Sequence, residues 1–322
     1  MTITVVGSIN NDIVAVIDQY PKRGDTIFGK EIQYFPGGKG ANQATAAARF
    51  DKHVRMIGAV GSDYYGENLL KSLGSSSVDT RFIKTSEKYA TGTAIVTIDS
   101  TSENTMFVMK GANEDLLPED VETSFRETDD TNVLLVQMEV PQETVIRSMQ
   151  LAKEKNIYTI LDPAPAEGIT VKALEYADII TPNRQETYHM LGIDVVDVDT
   201  AIQAGRTFEN MGVKNSILKM ADQGAVVYQS GKWCHIPAIS VEPLDSVGAG
   251  DAFAGTLACC IEEGIDLVRA ARFASVVGAL KVTKAGAQVG IPSKEEVRDF
   301  CSQLGEEYLL DKQGTFEGGF SG

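Results

Sequence analysis

The chain has 322 residues, 43% of them hydrophobic and 23% charged, a balance that belongs to a globular protein and excludes disorder of the whole chain. It carries 29 Lys and Arg against 45 Asp and Glu, a net charge of −16. Nucleic acid and anionic membrane, both polyanions, are thereby excluded as general partners.

At roughly 150 residues per domain, the length predicts about two domains, or one large α/β domain with an appendage. Short apolar runs alternate with helical patterns for most of the chain. Residues 2–6, 55–60, 133–137, 158–161, 179–181 and 216–219 read as buried strands. Residues 40–50, 66–73, 142–153, 185–191 and 201–211 read as amphipathic helices. This alternation predicts βαβ units and a mostly parallel sheet with helices on both faces. The last third differs. Residues 225–228 and 233–236 predict a hairpin across Gln229-Ser230-Gly231-Lys232, and helical patterns follow at 252–263, 267–284 and 293–304.

Two stretches break the βαβ rhythm. Residues 12–17 and 26–34 are strand-like, as are 92–98 and 105–110. Together they predict a small antiparallel sheet inserted in two pieces, at about 12–34 and 91–110. Such a sheet has an exposed apolar face and edges. It either closes over a substrate and docks on a partner subunit or simply extends the main sheet. The remainder of 1–308 reads as one domain, and 309–322, with four glycines, as a disordered tail.

The first residues show no basic segment with a long apolar core, and no run of about 18 apolar residues occurs, so neither a signal peptide nor a spanning helix is expected. The compartment implied is the cytoplasm. Cys234, Cys259, Cys260 and Cys301 form no C-x-x-C pair. They read as buried reduced thiols rather than zinc ligands or a disulfide framework. His53, His189 and His235 sit in no motif.

Four motifs carry chemistry. The first is Asp245-Ser-Val-Gly-Ala-Gly-Asp251, leading into a helix whose apolar face includes Ala252, Phe253, Thr256, Leu257 and Cys260. The small residues Gly248, Ala249 and Gly250 let a ligand approach unpaired N–H groups at the positive end of that helix, which makes an anion hole. Asp251 at its mouth is either a helix cap or a base that deprotonates a hydroxyl beside a phosphate site. The second is Pro36-Gly37-Gly38-Lys39-Gly40-Ala41-Asn42-Gln43. Its glycines allow close approach to a ligand, and Lys39 and Asn42 can bond hydroxyls; the Walker A spacing is absent. The third is Gly7-Ser8-Ile9-Asn10-Asn11-Asp12. Polar groups at the end of a buried parallel strand lie where α/β proteins bind ligands, so Asn10 and Asp12 are either turn residues or a polyol clamp. The fourth is Thr181-Pro-Asn-Arg-Gln-Glu186, where Asn183 and Glu186 form a capping box or stand near Mg²⁺ and phosphate.

With these motifs in hand, the chain resembles the ribokinase family of carbohydrate kinases (the PfkB group) from about residue 2 to residue 304. Pro36–Gln43 is similar to the family's N-terminal signature and residues 243–253 to its C-terminal one. Residues 136–139, 162–166 and 284–288 carry the resemblance closer to ribokinases than to fructokinases or adenosine kinases. The fold implied is a three-layer α/β/α domain with a mainly parallel central sheet, plus a small β-sheet lid that clasps the lid of a second subunit in a homodimer. The activity implied is ATP-dependent phosphorylation of the 5-hydroxyl of D-ribose. Asn10, Asp12, Gly38, Lys39, Asn42 and Glu139 would hold the sugar, with Asp251 as general base. The N–H groups of Gly248, Ala249 and Gly250 would stabilise the transferred phosphoryl group. Asn183, Lys219, Gly224, Ala249 and Gly250 would line the ATP site, with Ser275 near the adenine and Glu186 acting on Mg²⁺ through water. A K⁺ site would use the Asp245 side chain and the carbonyls of Val247, Lys281, Lys284, Gly286 and Gly290.

Three departures from the family pattern stand out. Lys219 occupies a usual threonine position, Ala221 a glycine position, and Val289-Gly290 replaces the usual Pro-Ser. If position 221 needs a positive φ, alanine there costs about 1 kcal/mol. Within the same fold the acceptor could instead be 2-deoxyribose, another pentose or a nucleoside. A catalytically inactive sugar-binding protein is the reading from another class, and retention of Asp251 with Gly248 and Gly250 argues against it. A dinucleotide-dependent oxidoreductase is disfavoured, because no G-x-G-x-x-G follows the first strand.

Overall fold

A computed structural model describes residues 1–100, 104–166 and 171–306, together with Leu309. Strand β1 (Thr2–Val6) leads into a hairpin of β2 (Asn10–Val16) and β3 (Glu31–Gly37), and α1 (Lys39–Ala48) follows. Next come β4 (His53–Gly61), α2 (Tyr64–Ser75) and β5 (Val78–Ser86), then a second hairpin of β6 (Gly92–Ile98) and β7 (Asn104–Met109). The middle of the chain holds α3 (Pro118–Glu127), β8 (Thr131–Val136), α4 (Gln142–Glu154), β9 (Tyr158–Leu161), the single turn α5 (Val171–Leu174) and β10 (Ile179–Ile180). It continues with α6 (Arg184–Leu191), α7 (Val198–Asn210), β11 (Asn215–Lys219), β12 (Ala225–Gln229) and β13 (Lys232–Ile236). Three helices close it: α8 (Ala249–Glu262), α9 (Leu267–Val282) and α10 (Lys294–Leu304).

Nine strands form one sheet in the order β13-β12-β11-β10-β9-β8-β1-β4-β5. Every neighbouring pair from β11 to β5 is parallel, while β11·β12 and β12·β13 are antiparallel. The side-chain period of two sends Ile3 and Val5 of β1 to one face and Val6 to the other. The first face packs on Ala41, Ala44 and Ala47 of α1, Leu257 of α8 and Ala270 of α9. The second packs on Val121 and Phe125 of α3, Val145 and Met149 of α4 and Phe208 of α7. Both faces of the parallel region are thus covered, as its continuous apolar strands require. All four cysteines are buried.

A smaller sheet has the order β3-β2-β6-β7. It is not wholly antiparallel as the sequence suggested: its central pair, β2 and β6, is parallel, with Asn10 opposite Gly92 and Val16 opposite Ile98. The reason lies in where the two insertions leave the main sheet. Each begins beyond the end of a parallel strand, β1 or β5, so both first strands run outward side by side, and only the returning strands β3 and β7 are antiparallel. β3 also starts later than expected. Val16 pairs with Glu31, so residues 26–30 fall in the connection. Pro36, which has no N–H to donate, is accommodated because β3 is an edge strand.

Besides the single turn α5, two elements were not legible. β5 carries Asp79, Arg81 and Lys84 among its apolar residues because it is the edge of the large sheet, where charge is protective. α3 opens with Pro118 at its first position, a favoured place for proline that resembles a loop signal in sequence. The expected tail falls outside the described residues except for Leu309. No helix among the described residues is long and apolar enough to cross a membrane.

Candidate active site

The C-terminal ends of the parallel strands converge on one crevice, the usual ligand position in open α/β sheets. Ser8 and Asn10 follow β1, Gln137 and Glu139 follow β8, Asp162 follows β9, and Thr181 and Asn183 follow β10. Lys219 ends β11. Helices α1 and α8 enter this region from one face of the sheet. They approach closely because Gly255 has no side chain: a Cβ there would stand 2.5 Å from the Gln43 carbonyl oxygen and 2.7 Å from the Ala46 Cβ.

That approach brings the start of α1 to Asp251 in the first turn of α8. Asn42 Nδ2 donates to Asp251 Oδ2 at 2.8 Å, and Gln43 Nε2 donates to Asp251 Oδ1 at 3.1 Å. Gln43 Nε2 also reaches Asp162 Oδ2 at 2.9 Å, and its Oε1 accepts from Gln137 Nε2 at 2.6 Å. Asp162 Oδ1 in turn accepts from Thr181 Oγ1 at 3.1 Å and from the Lys219 ammonium at 2.9 Å. Asp251 is 6% exposed. Burial raises its pKa, and Lys39, Asn42 and Gln43 oppose that rise by favouring the carboxylate. Asn42 Oδ1 is buried and has no partner among the described residues.

A polar group lies on the other side of Asp251. Ser8 Oγ donates to Glu139 Oε2, and the Lys39 backbone N–H reaches the same oxygen at 3.4 Å. Asn113 fixes the end of β1: its Oδ1 accepts from the Ile9 N–H at 2.9 Å, and its Nδ2 donates to Asn10 Oδ1 at 2.8 Å. Burial, then Glu139 and Asp251, push the Asp12 carboxyl up to about 7. Burial also raises Glu139. Burial works against the Lys39 ammonium, but Asp251, Glu139, Asp162 and Glu186 outweigh it and raise its pKa. Gly38, with φ 89°, is the N-cap of α1.

The turn before α8 is open as the sequence suggested, with one difference. Gly248 adopts φ 80°, a left-handed conformation that suits glycine. The Ala249 N–H is taken by the Ser246 carbonyl at 3.2 Å. Among the described residues no partner stands at the N–H groups of Gly248, Gly250 or Asp251. The Lys219 ammonium sits beside this turn, 3.7 Å from where a Cβ on Gly250 would lie.

Asn183 and Glu186 do form the capping box. Glu186 N–H donates to Asn183 Oδ1 at 2.8 Å, while the Asn183 N–H and Nδ2 donate to the Glu186 carboxylate at 2.8 and 2.9 Å. The box holds Glu186 in the crevice rather than removing it: burial raises its pKa, and Lys219, Asp162 and Lys39 all act on it. Gly224 closes the loop after β11, its carbonyl accepting from the Met220 N–H at 2.7 Å. Ala221 in that loop has φ 54°, so the strain foreseen for a non-glycine residue, about 1 kcal/mol, is present. Ser275 is not drawn into this network; its Oγ donates to the Ala271 carbonyl at 2.8 Å within α9.

The donor set expected for K⁺ is arranged differently. Asp245 Oδ1 accepts from the Val247 N–H at 2.9 Å and Oδ2 from the Gly286 N–H at 2.7 Å. The Gly286 carbonyl accepts from the Gly290 N–H at 3.0 Å. Lys281, expected to offer only its carbonyl, turns its side chain inward. Its ammonium donates to the carbonyls of Asp245 at 3.0 Å and Lys284 at 3.1 Å, and lies 3.9 Å from Asp245 Oδ2. Burial lowers the Lys281 pKa, against the pull of Asp245 and Asp251. Of the donors expected for the ion, the ammonium thus takes the Lys284 carbonyl and faces the Asp245 carboxylate; a potassium ion sharing these would stand roughly 4 Å from the ammonium, where like charges repel by about 4 kcal/mol at an effective dielectric of about 20. The residues present do not fit the ion.

Several members of the network were given no role from sequence, although all but Asn113 lie in the stretches quoted above: Ser8, Gln43, Asn113, Gln137, Asp162 and Thr181. Asp162 and Thr181 carried a usable signal, a polar residue immediately after an apolar strand. Gln43 closes the second motif and Asn113 lies in none, but neither role could be read there, because the Asp162 and Asp251 carboxylates that Gln43 bonds and the Ile9 and Asn10 groups that Asn113 bonds are all more than 100 residues away.

Known proteins are similar to this chain over most of its length. The model of the pfkB family carbohydrate kinases matches residues 2–294. A ribokinase of Haemophilus influenzae is 35% identical over 299 residues, covering 93% of this chain and 98% of its own. A deoxyribokinase of Salmonella typhi is 32% identical over 305 residues, covering 94% and 99%. The structure of an Arabidopsis thaliana ribokinase complexed with ribose and ATP superposes with a TM-score of 0.86 at 28% identity, covering 92% of this chain and 97% of that one. The match runs through both glycine-containing turns and the sheet that joins them, and on that ground the chain belongs to the pfkB family of carbohydrate kinases.

Proposed function

We propose that the chain transfers the terminal phosphoryl group of ATP to the 5-hydroxyl of D-ribose, giving D-ribose 5-phosphate. The observation that carries this reading is Asp251, a buried carboxylate in the same helical turn as N–H groups without partners. A capping residue would spend its oxygens on those N–H groups. Here both oxygens are held by the amides of Asn42 and Gln43 instead. The relatives named ribokinase and the complex with ribose and ATP support the substrates.

In this reading Asp251 accepts the proton of the attacking hydroxyl. Lys39, with the amides of Asn42 and Gln43, favours its carboxylate form against the burial that raises its pKa. The N–H groups of Gly248 and Gly250, with Ala249 once its weak turn bond opens, face the charge that develops on the phosphoryl oxygens. The Lys219 ammonium beside them adds a positive charge. Asn42 Oδ1, without a partner, accepts a sugar hydroxyl, and Asn10, Asp12, Gly38, Lys39 and Glu139 hold the others. Asn183, Gly224 and Ser275 line the nucleotide side. Among the described residues no three His, Cys, Asp or Glu side chains cluster to hold a metal. Mg²⁺ keeps several waters and binds mainly through substrate phosphates. Glu186 would hold it through water, and when bound it supplies charge neutralisation between the phosphates.

The small sheet acts as a lid over the sugar, keeping water from the phosphoryl group. Tyr34, Ile13, Ile95 and Phe107 form one cross-strand row on this sheet. Tyr34 and Phe107 of that row, with Ile32 and Met109 on the same face, are 44–58% exposed. An apolar face of that kind seeks a partner, and we assign it to the lid of a second copy in a homodimer.

The test is a coupled assay of ADP release with ribose, 2-deoxyribose, other pentoses and nucleosides, in the presence of Mg²⁺. Ribose should give the highest kcat/KM, and Asp251→Asn should lower kcat roughly 10²–10⁴-fold while sugar binding persists. A preference for 2-deoxyribose would move the chain toward its deoxyribokinase relatives. Full turnover by Asp251→Asn would sink the base assignment.

A further inference from the structure

We propose that the Lys281 ammonium is a tethered monovalent cation that organises the anion-binding turn, so that this kinase needs no free potassium. The inference rests on the reaction proposed above only for its kinetic arm.

Lys281 lies in the last turn of α9 and is 0% exposed. A lysine there could ordinarily extend its long stem to water; this one does not. Its ammonium is inside, bonded to the carbonyls of Asp245 and Lys284 and facing the Asp245 carboxylate. A buried ammonium requires such oxygen partners, and carbonyls with a carboxylate are also what a bare monovalent cation seeks. The glycine at 290 leaves room for the stem: a Cβ there would stand 3.0 Å from Lys281 Cε. The position at the C-terminal end of α9 favours a cation for a second reason, the negative end of the helix dipole.

The connections from this ammonium lead to the site. It holds the Asp245 carbonyl, while the backbone N–H groups of Leu244 and Asp245 bond the Val282 carbonyl at 2.7 and 3.0 Å. The two oxygens of Asp245 then fix the Val247 and Gly286 N–H groups. Val247 is the residue before Gly248, whose φ of 80° turns the next N–H groups outward. Lys281 thus acts as a positioning residue: it touches no substrate but sets the loop from which the anion hole begins.

The experiment compares wild type, Lys281→Ala and Lys281→Met, all freed of potassium and titrated with KCl against choline chloride at constant ionic strength. Wild-type kcat should not respond to KCl. Lys281→Ala should lose roughly 10–100-fold in kcat without potassium, the scale of a small misplacement at a reacting centre, and should recover on adding KCl. Lys281→Met, which fills the space without charge, should stay low at every KCl concentration. Melting curves give an independent readout: KCl but not choline should raise the Tm of Lys281→Ala and leave wild type unmoved. Activation of wild type by KCl, a potassium-specific rise in its Tm, or full kcat of Lys281→Ala without potassium would each overturn the proposal. If Lys281→Ala fails to fold, the wild-type arms decide alone. If wild type phosphorylates no sugar, the proposed reaction falls while the melting curves still test the cation.

Discussion

Single residues in this crevice are tuned by charge at close range. Asp12, Glu139, Asp162, Glu186 and Asp251 share it with two ammonium groups, Lys39 and Lys219. Burial, and then the Glu139 and Asp251 carboxylates, push Asp12 to about 7 against the usual 3.8. The sign follows from the raised value. A carboxyl that ionises less readily in the folded state contributes stability fully below about 3.8, and that contribution is lost as pH rises through about 7. Asp12→Asn, neutral throughout, should therefore gain in Tm relative to wild type across this window, measured on the ligand-free protein. Parallel Tm curves for the two proteins would show that Asp12 ionises normally. Sequence identified Asp12 as polar and near a strand end; it could not give the pKa, because Glu139 and Asp251 lie far along the chain.

At the scale of elements, the contact between α1 and α8 sets the surroundings of Asp251, the proposed base. Gly255 and the alanines of α1 let the two backbones approach, and the approach sets the Asn42 and Gln43 amides on Asp251. Gly255→Leu should overpack this contact, costing about 1–3 kcal/mol in denaturant unfolding. It should also lower kcat more than it raises the sugar KM, since it moves the amides that hold the base. A destabilised variant with unchanged kcat would show that the contact is structural alone. Both helices were legible in sequence from their spacing, and Gly255 itself was not, because a glycine inside a helical pattern announces no partner. The same limit explains the small sheet. Its four strands were readable, but the parallel β2·β6 pairing depends on where two separate insertions leave the main sheet. The Asn183–Glu186 capping box was readable in full, since all its bonds span three residues.

At the scale of the molecule, the reaction proposed for a chain with net charge −16 calls on local arrangements to meet a polyphosphate: the turn N–H groups, the Lys219 ammonium beside Gly250, and Lys281 bonded to the Asp245 carbonyl. The proposed homodimer is the remaining question of assembly. Phe107→Asp, on the exposed face of the small sheet, should shift sedimentation from dimer toward monomer at micromolar concentration. It should raise the sugar KM through a loosened lid while Asp251 and its amides stay in place. A wild-type protein that sediments as a monomer would remove the dimer and leave the lid.

The sequence by itself determined the layered α/β architecture, the four strands of the inserted sheet, and the two turns at residues 36–43 and 245–251. These follow from side-chain periodicity and from small residues at helix starts, both of which act over a few residues. Only the tertiary structure decided that Gln43 joins Asp251 to Asp162, that the inserted sheet has a parallel centre, and that Lys281 fills the place expected for a free ion. Each of these depends on groups distant in the chain meeting in a dry interior, where an ammonium or a carboxylate persists only beside the partners that packing brings to it.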